Sequence, residues 1–89
     1  MQTTFLGITI TRQQVEDALR EFARQYPDPE SYENWLQNNN YKFAISYKGR
    51  LYPPKYILSM ITGIPTPKFS GGKPTNRVFR DLGFEVVDK

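Results

Sequence analysis

The sequence predicts an α+β domain, a small and mostly antiparallel sheet packed with about four short helices in the order ααββααβ. Three observations predict it. Residues 41–47 alternate, with Tyr41, Phe43, Ile45 and Tyr47 on one side and Lys42, Ala44 and Ser46 on the other, the period of a strand. Lys48-Gly49 then makes a tight turn and Arg50-Leu51-Tyr52 returns as a partner. On either side of this hairpin, apolar residues recur at helical spacing.

The elements follow in order. Residues 1–10 are apolar and β-branched without clear patterning, an extended lead-in (1–9) or an edge strand. Thr11 and Gln14 form a capping box, in which hydroxyl and amide each satisfy a backbone donor of a starting helix. Val15, Ala18, Leu19, Phe22 and Tyr26 lie on its buried stripe, and Pro27 ends it. Asp28-Pro29 opens a short second helix to about Leu36 or Gln37, burying Tyr32, Trp35 and Leu36, before Asn38-Asn39-Asn40 stops it.

After the hairpin, Pro53-Pro54 starts a third helix, since proline's fixed φ suits a first helical turn. This helix runs to Thr62 with Gly63 as its cap, and it is apolar on most sides, which makes it the central buried one. Tyr56, Ile57, Ile61, Phe79 and Leu82 are the expected core. Residues 64–74, with three prolines and two glycines, form a loop. Pro74 or Thr75 opens a last helix, Gly83 ends it, and Phe84–Val87 is a final strand beside the hairpin.

Eighty-nine residues make one domain, and a chain of this size buries only a little over ~60% of its unfolded surface. The absence of cysteine and histidine removes disulfides, zinc fingers, HNH-type sites and Ser-His or Cys-His nucleophiles. No apolar run is long enough for a membrane span, and no leader-like segment is evident, so a cytoplasmic location is expected.

Charge is divided unevenly. Residues 1–40 carry a net −3 and residues 41–89 a net +6. From Trp35 to Arg80 there are eight basic residues and no acidic one: Lys42, Lys48, Arg50, Lys55, Lys68, Lys73, Arg77 and Arg80. A one-signed stretch repels itself unless something negative lies beside it, and a phosphate backbone is the commonest such partner. Tyr41, Phe43, Tyr47, Tyr52, Tyr56 and Phe69 are interleaved with these bases, a pattern that suits nucleic acid better than a solvated face.

Enzyme motifs fail on inspection. Ser70-Gly71-Gly72-Lys73 has the S-x-x-K spacing, but that chemistry needs helical geometry that two glycines and Pro74 oppose. A phosphate loop would need Ser or Thr where Pro74 stands and glycine where Pro67 stands. Asp81, Glu85 and Asp88 read as charges balancing the basic face rather than as acid–base or magnesium ligands. No cofactor is expected.

Two constellations point to binding instead. Gly71-Gly72 lets the backbone approach a ligand closely just before a helix N-terminus, with Lys68, Lys73, Asn76 and Arg77 around it. That is a phosphate seat from which Asn76 and Arg77 can reach a base edge. Tyr52-Pro53-Pro54-Lys55, flanked by Arg50 and the Lys48-Gly49 turn, is the second; Lys42 and Lys48 are point charges that follow the backbone.

The run Tyr47-Lys48-Gly49-Arg50-Leu51-Tyr52-Pro53-Pro54-Lys55-Tyr56-Ile57, followed by Phe69-Ser70-Gly71-Gly72, then Thr75-Asn76-Arg77 and Leu82-Gly83-Phe84, resembles the N-terminal head domain of McrA-like, modification-dependent (type IV) HNH restriction endonucleases. The resemblance covers roughly Ile10 to Val87. It implies a non-catalytic DNA-binding module of a restriction or phage-defence system, with sensing of modified DNA as an extension and nuclease or modified-base recognition domains as neighbours in a parent protein. By that resemblance Tyr52, Lys55, Ser70, Gly71, Gly72, Asn76 and Arg77 carry the pattern, without separating DNA contacts from residues that hold the fold. The HNH domain itself has no counterpart in this chain, so cleavage does not carry over. The alternative is a protein-interaction or oligomerisation module using the same basic, tyrosine-rich face.

Overall fold

The computed structural model of the chain describes residues 1–28, 42–69 and 72–88. Two consecutive β-strands, β1 (Gln2–Phe5) and β2 (Ile8–Thr11), lead into α1 (Arg12–Gln25). Strands β3 (Phe43–Tyr47) and β4 (Arg50–Tyr52) follow, then α2 (Pro54–Thr62), a single 3₁₀ turn (Thr66–Lys68), α3 (Lys73–Asp81) and β5 (Glu85–Asp88). The architecture is α+β, as predicted.

Of the two expectations for residues 1–10, extended lead-in or edge strand, the strand is the one found. These residues belong to a separate antiparallel hairpin in which Phe5 pairs with Ile8 across the Leu6-Gly7 turn. Both turn residues have positive φ, 49° and 79°, as do Lys48 and Gly49 in the second hairpin, at 49° and 77°. Positive φ at both central positions is the mark of the two-residue turn that matches strand twist. The first hairpin buries Phe5 and Ile10 in the main core.

The predicted capping box on α1 is present. Thr11 Oγ1 accepts from the Gln14 backbone N–H, and Gln14 Oε1 accepts from the Thr11 N–H at 2.8 Å. Val15, Ala18, Leu19 and Phe22 form its buried stripe. The second predicted helix, with Tyr32, Trp35 and Leu36, lies outside the described residues, as does Tyr41.

The main sheet has the order β4-β3-β5, antiparallel throughout, with Ile45 opposite both Tyr52 and Val86. Because β3 is central and covered on both faces, Ala44 and Ile45 are both fully buried although their side chains point opposite ways. The final strand begins one residue later than expected, and Phe84 packs into the core instead.

Helix α2 is less buried than its composition implied. Ile57 and Leu58 are fully enclosed, but Ile61 is half-buried and Tyr56 is 39% exposed. Tyr56 packs its ring edge-on against Phe22 and Tyr26 at the margin of the core. Hydrogen bonding with Tyr26, aided by burial, raises its phenol above the usual value. Gly63, at φ 76°, ends the helix as predicted.

Candidate nucleic-acid interface

Helix α3 has two chemically distinct faces. Thr75, Asn76, Val78 and Phe79 point inward, while Lys73, Arg77 and Arg80 are exposed. The three cations stand at i, i+4 and i+7, one stripe along the helix about 10 Å long at ~1.5 Å per residue. The helix starts one residue earlier than expected, because Gly72 caps it at φ 91°, ψ −143°. That region of backbone space is essentially closed to any residue with a Cβ. Pro74 sits in the first turn, where its missing N–H has no partner to lose.

Phe69 joins this helix to the rest of the basic surface. Its buried ring lies 5.4 Å from Phe5, edge to face, and the Lys55 ammonium stands 5.6 Å from its centroid. Lys68 precedes it and is exposed. Lys55 on α2 therefore meets the ring of the residue that follows Lys68.

The cations divide into two populations. On α1, Arg12 approaches Glu16 at 3.9 Å, Arg20 binds Asp17, and Arg24 binds Glu21. The Arg24 hydrogen bond, with help from Gln25, holds the Glu21 carboxyl at about 2, well under its ordinary value. Arg77 pairs with Asp81 at 3.5 Å, one turn further along α3. By contrast, Lys42, Lys48, Lys55, Lys68, Lys73 and Arg80 form no ion pair among the described residues. On α1 every arginine has a carboxylate beside it, whereas six cations of the second half have no ion pair among the described residues.

Arg12 also has a purely architectural task. Its Nη1 donates to the Leu82 carbonyl at 2.7 Å and its guanidinium stacks 4.4 Å from the Phe84 centroid. The cation thus satisfies an orphan carbonyl at the C-terminal end of α3.

The sequence-predicted site residues separate into groups. Gly72, Lys73 and Arg77 belong to α3 and its cap, while Lys55 approaches Phe69, the residue after Lys68. Lys42 and Lys48 lie at opposite ends of β3, about 20 Å apart at ~3.3 Å per residue. Arg50 donates to the Tyr26 carbonyl and its guanidinium lies 5.4 Å from the Tyr52 ring. Two candidates have buried side chains: Tyr52 is 6% and Asn76 2% exposed. Asn76 packs inside α3's first turn, and among the described residues no buried side-chain polar atom lacks a hydrogen-bond partner. Ser70 and Gly71 lie outside the described residues. Arg80 joins the site only through its i+7 relation to Lys73.

Asp81 is committed to Arg77 and to the Thr3 hydroxyl, which donates to it at 3.1 Å. Glu85 and Asp88 sit at the two ends of β5. Among the described residues no helix is long and apolar enough to cross a membrane. No protein-family model, curated protein or solved structure matches the chain.

Proposed function

We propose that the domain is a non-catalytic module that binds duplex DNA through the α3–Phe69 face, of the kind implied by the resemblance to restriction-endonuclease head domains. The observation that carries this reading is the unmatched charge among the described residues: Lys55, Lys68, Lys73 and Arg80 have no ion pair there, and Arg77 has an exposed one with Asp81. Cations without a counter-charge await an external anion, and the regular stripe of Lys73, Arg77 and Arg80 along α3 suits a polyphosphate. An exposed helix carrying that array is a shape the ~12 Å major groove admits.

Titration of a duplex at two salt concentrations tests it. Five phosphate contacts give a slope of log K on log salt of about −4.5, or roughly a 500-fold loss between 50 and 200 mM. Magnesium should produce no cleavage by this chain. A shallow slope, or no binding at low salt, would put a protein partner on this face instead.

A further inference from the structure

Leu6 is a large apolar side chain that remains 66% exposed, and its backbone is held at φ 49°, where bulky L-residues are rare. The turn would be better served by Asn or Asp, which tolerate that conformation and like water. A residue that is wrong for its turn and wrong for solvent points to a contact outside the chain.

The surroundings identify the partner. β1 runs alongside α3: Thr3 donates to Asp81 at the helix's end, and Phe5 packs on Phe69 just before its start. Leu6 follows Phe5, whose ring packs on the Phe69 ring that the Lys55 ammonium covers. Residues 1–11 contain no charged side chain at all. The outward face of the ribbon presents Thr4 opposite Thr9, both exposed. A neutral, hydroxyl-bearing ribbon with an apolar tip, packed on the ring that Lys55 covers, can approach phosphates without repulsion and place its tip between them.

We propose that the β1–β2 hairpin is a groove-entering element and that Leu6 is an apolar wedge pressed into a base step from the minor groove. This rests on the DNA-binding reading above. Lysines hold the backbone, and the tip of the hairpin alone enters the ~6 Å minor groove, where Leu6 partly unstacks a deformable step such as TA.

The experiment uses the full chain and a duplex of about 20 base pairs with 2-aminopurine beside a central TA step. Wild type should raise the probe's fluorescence on binding, the signature of unstacking. Leu6→Asn should fold with a Tm equal or higher by roughly 4 °C. It should also lose the fluorescence rise and bind about tenfold more weakly. Its salt slope should equal that of wild type, because no phosphate contact is lost. Leu6→Gly, which accepts the same φ, serves as the second variant and should behave alike, whereas Leu6→Met should retain the signal. Binding and fluorescence unchanged in Leu6→Asn and Leu6→Gly overturn the wedge while leaving the DNA-binding reading intact. Absence of any duplex binding by wild type overturns both.

Discussion

Replacing Arg77 by Ala should weaken duplex binding about fourfold at 100 mM salt, and the size follows from two opposing terms. A phosphate contact contributes roughly 0.9 to log K at 0.1 M through counterion release, about 1.2 kcal/mol. Before Arg77 can make that contact it must leave Asp81, 3.5 Å away on an exposed surface. Such i,i+4 pairs are worth only about 0.3–0.5 kcal/mol, so about 0.8 kcal/mol remains. The salt slope should become shallower by about 0.9. Asp81→Asn gives the complementary result. It keeps an oxygen for the Thr3 hydroxyl but releases Arg77, so binding should tighten about twofold. Fluorescence anisotropy across a salt series reads all three proteins, with circular dichroism confirming the fold. If Arg77→Ala folds normally and matches wild type in both affinity and slope, Arg77 serves only its pairing with Asp81. The contacts would then lie with Lys55 and Lys68.

Three stability predictions accompany it. Leu58 is fully buried, so Leu58→Ala should cost about 2–5 kcal/mol in chemical denaturation, and Ile61→Ala, half-buried, distinctly less. Gly72→Ala meets no atom within 4 Å of the new Cβ, so its expected cost of about 1–3 kcal/mol comes from the backbone alone; an unchanged denaturation midpoint would refute that origin. Arg12→Ala removes a hydrogen bond to the Leu82 carbonyl and a cation stacked on Phe84. A loss of about 1–2 kcal/mol should appear as a lower Tm that added salt does not reproduce.

Much of this fold was legible because local chemistry and tertiary structure agree. The Thr11-Gln14 box, the Lys48-Gly49 turn, Pro54 at a helix start and Gly63 at its end each act within a few residues. The first hairpin was hidden by its own oddity. Leu6 occupies a position where sequence rules look for Asn, Asp or Gly, so the turn carried only half its signature. Tyr56 was misjudged because aromatic character marks core residues only on average; its neighbours Ile57 and Leu58 occupy the inner stripe of α2 and turn it outward. In the candidate site, adjacent residues of α3 met opposite fates. Asn76 and Arg77 are both polar, and composition does not tell which one a helix will turn inward. The pairing state of each cation was beyond reach for the same reason, apart from the Arg77–Asp81 spacing, since it depends on side-chain geometry.

The position of β5 has a consequence for synthesis of the chain. β3 supplies the two most enclosed residues of the sheet, Ala44 and Ile45, yet one of its edges is completed only by Glu85–Asp88. While a ribosome is still making residues 53–84, β3 can pair with β4 alone, and its other edge offers unpaired N–H and C=O groups beside apolar side chains. Such an edge is a template for pairing with a neighbouring nascent chain. The Thr3–Asp81 and Arg12–Leu82 bonds join residues 78 and 70 positions apart, so the first hairpin and α1 also wait for the same late segment. A pause in translation before residue 85 should therefore favour aggregation over partial folding.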